Sequence, residues 1–177
     1  MLTNNSIYDL PEDHLVRILN NEHQTILAHL DGIDHLRQDI YSLNSPVDHP
    51  ELFVKLISLT ERLMTVSKHH EREEKVLFPE LLKADAGNHL EVLTSEHHFL
   101  TEYKLKFFNH INDLSAMDFK SYKLQMNFMA NGIIGILREH IYLENTAVFP
   151  IAVKIITDDN RWLEMNQRFK EIGSFFE

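Results

Sequence analysis

Apolar residues recur at intervals of three and four along almost the whole chain, and this spacing constrains the fold more than any other feature. It places apolar side chains on one face of an α-helix, where they can pack against a core. Glycine and proline, which interrupt helices, number only five each among 177 residues, and no stretch shows the alternation typical of a strand. We therefore expect an all-α protein.

Breaks in the apolar pattern divide the chain into four long helices and a tail. We expect helices at about residues 12–43 and 51–83, a third from near Leu90 to about 115, and a fourth that begins after an N-cap at Asp118. Kinks are expected at Pro79 and Pro150. Short connections force consecutive helices to reverse direction, which predicts an antiparallel up-down four-helix bundle over about 12–156 and a short C-terminal helix at about 158–173. The length fits one domain, residues 1–177.

Charge and residue usage narrow the functional classes. A net charge of −10 argues against a nucleic-acid partner, because phosphate binding needs clustered cations. No apolar run is long enough for a membrane span, and residues 1–10 lack the features of a signal peptide, so we expect a cytoplasmic protein. The absence of cysteine excludes disulfide, thiolate and Cys-type zinc sites, whereas twelve histidines are present.

The strongest functional signal is the pattern H-x3-E-x5-P, which occurs twice with phenylalanine before the proline. Its copies are HHEREEKVLFP from His69 and HIYLENTAVFP from His140. Residues four apart lie on one helix face, so each His-Glu pair can reach a single metal centre. A shorter Glu-His pair precedes each copy, as Glu22-His23 and Glu96-His97. The chain is therefore composed of two similar halves, each an E-H helix followed by an H-x3-E helix.

These donors predict a two-metal centre. One imidazole from each of four helices and carboxylates from two of them, with no thiolate, suit iron, manganese or zinc. The set exceeds what one tetrahedral zinc uses, and a carboxylate on each of two helices can bridge two ions. Ferritin-like bundles use Glu-x-x-His instead, and a zinc-protease motif would need histidine where Glu74 stands.

The motifs resemble those of the hemerythrin-like (HHE cation-binding) proteins, from His14 to about Pro150. The copy that begins at His140 is particularly similar to the branch of the family that repairs iron centres after nitrosative stress. The resemblance implies a non-haem di-iron centre. It implies six ligands of this centre. His69 and His140 would bind the metal, Glu73 and Glu144 would bridge the two ions, and His23 and His97 would be terminal ligands.

Other ligands stay open at this point. Oxygen-carrying hemerythrins have two histidines four apart on the third helix, whereas Leu93 and Thr101 stand four residues from His97. Further candidates are His14, because related sequences often have histidine at the start of the first helix, Glu22, which lies near the centre of an apolar stripe, and His70, which borders the inward face. We expect no functional role for His35, His49, His89, His98 and His110.

The resemblance and the donor set imply a protein that binds a small diatomic ligand, O2 or NO, for sensing, carriage or stress response. The alternatives are reduction of NO or peroxide and release of iron to damaged iron–sulfur clusters, with a redox or iron-acceptor protein as partner. No nucleophile, phosphate loop or acid–base pair is visible outside the metal cluster. Any turnover would therefore run through the two irons, or through manganese or zinc in their place.

Overall fold

A computed structural model describes residues 5–87 and 89–173; the remainder of the expected 1–177 domain lies outside the described residues. Within the described part the chain forms helices and no strand. The segments are α1 Asn5–Tyr8, α2 Leu15–Ser42, α3 Pro50–Met64, α4 Ser67–Arg72, the π-helical turn π1 Glu73–Leu77, α5 Phe78–Lys83, α6 Leu90–Asn112, α7 Phe119–Leu143, the π-helical turn π2 Glu144–Val148, α8 Phe149–Ile155 and α9 Asp159–Ile172.

These segments build four long bundle helices. The first bundle helix is α2, the second runs from α3 through π1 to α5, the third is α6, and the fourth runs from α7 through π2 to α8. The first and third each pack against α3 and α7, so every bundle helix neighbours the next in the chain and the fourth closes on the first. This confirms the predicted bundle. The C-terminal helix α9 packs against α2, α4 and π1.

The helix starts follow from side-chain caps. Asp118 accepts a 3.0 Å hydrogen bond from the Ser121 amide at the start of α7, as its N-cap position predicts. Asp158 caps α9 in the same way, through the Asn160 amide. These caps satisfy amide groups that have no partner within the helix.

The second bundle helix is not continuous, which corrects the expectation of one uninterrupted helix over about 51–83. It is interrupted at residues 65 and 66, between α3 and α4. The Thr65 hydroxyl donates to the Arg62 carbonyl at 2.7 Å, a local bond that competes with the helical pattern. The buried Lys104 ammonium donates to the nearby Leu63 carbonyl at 3.3 Å and so satisfies a carbonyl at the end of α3.

A π-helical turn precedes both prolines at which kinks were expected. In each turn the amide of the phenylalanine bonds to the carbonyl of the glutamate five residues earlier, Phe78 to Glu73 and Phe149 to Glu144. Proline has no amide hydrogen, so the carbonyl four residues before it loses its helical donor. For Pro79 that carbonyl belongs to Lys75, and the Arg168 guanidinium of α9 donates to it.

The apolar core consists of two clusters, one toward each end of the bundle. In the third helix, Leu93 belongs to one cluster and Leu100 to the other, with His97 between them. In the first helix, Leu19 and Ile26 flank His23 in the same way. Buried polar side chains therefore occupy the middle level of the bundle. No helix in the described ranges is long and apolar enough to cross a bilayer.

We expect Phe107→Ala to destabilise the metal-free protein by about 3–5 kcal/mol, because the ring is fully buried and its loss leaves a cavity. Urea unfolding followed by circular dichroism measures this change. The control is Phe128→Ala, which removes an exposed ring and should cost less than about 0.5 kcal/mol. Similar losses in both variants would contradict the described core.

Candidate metal centre

The structure brings together, at the middle level of the bundle, one histidine from each of the four bundle helices and one glutamate from the second and the fourth. All six residues are buried, with at most 2% of their surface exposed. They are His23, His69, Glu73, His97, His140 and Glu144. The register of the helices therefore gathers the six residues that the family resemblance implies as ligands.

Their donor atoms form two adjoining groups that share both carboxylates. Position 1 denotes the group of His23 and His69 with the two glutamates, and position 2 denotes the group of His97 and His140 with the same two glutamates. In each group the donor atoms lie within 4.8 Å of one another. The Nε2 atoms are 2.9 Å apart in the first pair and 2.8 Å apart in the second. Two imidazole ligands at right angles on one ion have nitrogens roughly 3 Å apart.

Each carboxylate directs one oxygen to each position. Glu73 Oε1 lies 3.2 Å from His69 Nε2, and its Oε2 lies 3.7 Å from His97 Nε2. Glu144 Oε1 lies 3.2 Å from His140 Nε2, and its Oε2 lies 3.2 Å from His23 Nε2. This is the arrangement that two carboxylates adopt when they bridge a pair of ions.

The chemistry of the donors fits a pair of cations. All four oxygens of Glu73 and Glu144 are buried and accept no hydrogen bond from the described residues. A buried carboxylate without compensation is strongly unfavourable, so a nearby positive charge is needed. Divalent cations at positions 1 and 2 would satisfy every one of these oxygens and face four imidazole nitrogens.

An outer layer of side chains orients the four imidazoles. The Nδ1 atom of each ring lies 2.7–2.8 Å from a side-chain oxygen, which leaves Nε2 facing the centre. Such contacts fix the tautomer and the ring orientation of metal-binding histidines. The four pairs are His69 with Glu22, His97 with Glu74, His140 with Glu96, and His23 with Asn145.

The doubled sequence pattern becomes an approximate two-fold relation in space. The residue that follows the bridging glutamate, Glu74 in one copy and Asn145 in the other, contacts the histidine of an E-H pair. The phenylalanine of the same copy stacks on that histidine as well. Phe78 packs on His97 with centroids 6.0 Å apart, and Phe149 packs on His23 at 5.2 Å.

Asn145 was missed by the sequence reasoning, and only its place after Glu144 could have revealed it. Glu74 and Asn145 occupy the same place in the two copies of the pattern. Glutamate and asparagine share a side-chain oxygen but are different residue types. A search for identical residues in the two copies therefore does not detect this equivalence. Both oxygens accept from a histidine of the next helix around the bundle.

The sequence model of the hemerythrin HHE cation-binding domain matches residues 14–152, a range that includes the whole cluster. The chain belongs to the hemerythrin HHE cation-binding family. Both the family match and the cluster of histidines and glutamates therefore indicate a cation-binding domain. No curated protein gives a significant match to the chain.

The three further candidates have different positions in the hemerythrin domain. His14 lies outside the cluster: its Nδ1 accepts from the Val16 amide at 3.2 Å as the N-cap of α2, and its ring packs on Trp162. Glu22 lies in the outer layer, where it also accepts from Arg72. His70 joins the buried cluster, with a nitrogen within 4.8 Å of donor nitrogens of His97 and His140.

The electrostatics of the hemerythrin domain favour protonation of His69 and His140 when no metal is bound. Burial alone would lower the pKa of His69, but Glu73 and Glu22 outweigh it and raise that pKa to about 10. Burial also opposes protonation of His140, whose pKa Glu144 raises to about 9. Burial would raise the pKa of Glu144, yet His140 and His23 hold it well below its usual value. Protons therefore supply positive charge that metal ions can replace.

A cleft of about 410 Å³ between the second and third bundle helices reaches the cluster from the surface. Its lining includes His70, His97 and Glu74, together with Ser67 and Thr101 nearer the surface. The cleft therefore gives ions and small molecules a route to position 2.

We expect the free energy of unfolding of the metal-free hemerythrin domain to fall as pH rises from 6.5 to 8.5. His69 and His140 stay protonated in the folded state, whereas the unfolded chain releases these protons above about pH 6.5. Two buried groups oppose this trend without outweighing it. Burial holds the pKa of His70 well below its usual value, which acts near the lower end of the window, and lowers the pKa of Lys104 to about 8, which acts above this pH. Urea unfolding in the presence of EDTA measures the slope.

With excess Mn²⁺ the slope should reverse, because the ion displaces those protons and binds more tightly as pH rises. A flat or rising stability of the metal-free protein across this window would contradict the proposed protonation of the two histidines.

Proposed function

We propose that the cluster binds two iron ions as a non-haem di-iron centre. His23 and His69 would hold the ion at position 1, and His97 and His140 the ion at position 2. Glu73 and Glu144 would bridge them. Imidazole and carboxylate donors without thiolate suit iron, although manganese and zinc accept the same donors. One observation supports this most directly: each carboxylate turns one oxygen toward each pair of imidazoles.

We further propose that the protein binds a small diatomic ligand, O2 or NO, for sensing, carriage or stress response. A reduced iron pair supplies redox chemistry and a coordination position that such ligands can occupy. The chain supplies a buried environment, since apolar clusters lie on both sides of the centre along the bundle. Phe78 and Phe149 cover two of the imidazoles. These walls exclude bulk water and favour small neutral ligands over charged ones.

The number of protein donors supports an open coordination position. Each position is faced by two imidazoles and two bridging carboxylates, one oxygen from each. Non-haem iron sites in proteins commonly keep positions open for an external ligand when the protein supplies fewer donors than the metal accepts. The cleft that reaches His97 gives such a ligand a path from solvent.

Metal analysis of matched variants tests the ligand set. We expect the wild-type protein to bind about two iron ions per chain, and Glu73→Gln and Glu144→Gln each to lose at least about half of this iron, because each removes a bridge. Inductively coupled plasma mass spectrometry after anaerobic loading with Fe²⁺ measures the content. The control is Glu71→Gln, which changes a carboxylate on the same helix that pairs with Lys75. Unchanged iron in either bridge variant would reject the bridging roles.

Exposure of the reduced, iron-loaded protein to O2 or NO tests the ligand. We expect a change in visible absorption that reverses when the gas is removed, and that is lost in Glu73→Gln but retained in Glu71→Gln. Rapid irreversible oxidation, with consumption of NO or added peroxide, would contradict reversible binding and support a reducing enzyme instead.

The cleft favours iron donation as a second candidate function, because an ion that repairs a damaged iron–sulfur cluster must leave the bundle. His70 and His97 lie at its inner end. This alternative needs an acceptor protein as partner. Transfer of iron from the loaded protein to an apo-cluster acceptor would support it, and full retention of iron in the presence of the acceptor would exclude it.

A further inference from the structure

The two halves of the centre differ at one buried residue. In the first copy of the pattern His69 is followed by His70, whereas in the second copy His140 is followed by Ile141. Both side chains are buried, with 4% and 3% of their surface exposed. The approximate two-fold relation therefore places an imidazole beside position 2 where position 1 has a hydrocarbon side chain.

His70 lies within reach of the donors of position 2. One of its nitrogens lies within 4.8 Å of donor nitrogens of His97 and His140. Its ring stacks on the His97 ring, with centroids 3.8 Å apart and an angle of 5° between the planes, so binding of one ion by both residues requires one of the rings to rotate. Its Nδ1 is buried and has no hydrogen-bond partner among the described residues. A buried nitrogen that lacks a partner costs free energy, which a bound cation would recover.

We propose that His70 is a third imidazole ligand of position 2, so that the two metal positions are unequal. This rests on the proposed function, because it requires an ion at position 2. Position 2 is then held by three imidazoles and two carboxylates, and position 1 by two imidazoles and two carboxylates. The third helix has no second histidine four residues from His97 that could be a further ligand of position 2. In this proposal the further imidazole comes from the second helix instead.

The location of His70 adds a kinetic consequence. The side chain lines the inner end of the cleft together with His97. An ion that enters or leaves position 2 through the cleft therefore passes the imidazole that also binds it. Loss of that imidazole should weaken position 2 and speed the escape of its ion, without changing position 1.

A titration with Co²⁺ tests this inference, since its visible absorption reports the number of ligands at each step. We expect the wild-type protein to bind two ions with different dissociation constants. His70→Ile, which copies Ile141 of the other half, should raise the smaller constant about tenfold or more and leave the larger within about twofold. It should also speed the release of one ion to EDTA by a similar factor.

Two further variants complete the experiment. His70→Gln keeps a polar side chain and should also weaken the tighter Co²⁺ binding step. If His70→Ile does not fold, the glutamine variant tests whether His70 is a ligand. His98→Ala removes an exposed imidazole on the same cleft and should change neither step. Circular dichroism checks that each variant is folded.

The possible outcomes separate the two proposals. Unchanged Co²⁺ constants in the folded His70 variants would overturn the role of His70 and leave the di-iron proposal intact. Equal weakening of both steps would also overturn it, because His70 would then act on the whole centre. Binding of fewer than two ions by the wild-type protein would overturn the proposed function itself, and the inference with it.

Discussion

Two carboxylates buried at the middle of the bundle set the main constraint on this structure. Glu73 and Glu144 are fully buried between two apolar clusters. Removing a carboxylate from water costs several kcal/mol unless positive charge compensates it. All four bundle helices must therefore place an imidazole at the same level, where a proton or a metal ion can balance the two glutamates.

The outer layer joins the four helices into a closed ring. Each bundle helix contributes one side-chain oxygen that contacts the histidine of the next helix, and the fourth helix contacts the first. In order, the oxygens belong to Glu22, Glu74, Glu96 and Asn145, and the histidines to His69, His97, His140 and His23. This ring follows the up-down order of the bundle, because each contact joins neighbours. The same contacts orient the imidazoles, so one set of hydrogen bonds both links neighbouring helices and positions the metal-binding side chains.

Sequence spacing predicts the helices and the His-Glu pairs of the second and fourth helices, because periods of three and four are local properties of a helix. It fails where the helix is not ideal. The break after Met64 and the two π-helical turns change the phase of the second and fourth helices, so a wheel at 100° per residue cannot rank His69 against His70. Glu22 falls on the inward face by that wheel, yet its flexible side chain reaches sideways to His69. Which partner a long side chain selects depends on the neighbouring helix, which local periodicity does not encode.

The C-terminal helix α9 packs against the first π-helical turn and so adjoins the centre. A π-helical turn interrupts the regular i to i−4 hydrogen bonds of the helix, and such turns are frequent at functional sites. Here each turn begins at one of the two buried glutamates, Glu73 and Glu144. In the second bundle helix the Lys75 carbonyl lacks an amide donor because of Pro79. Arg168 of α9 replaces that donor by a hydrogen bond to the carbonyl. Phe169 of α9 also packs under the Arg72 guanidinium, which donates to Glu22, the residue that orients His69. A continuous chain of contacts thus links α9 to position 1, so docking of this helix and the geometry of the nearest imidazole are physically coupled.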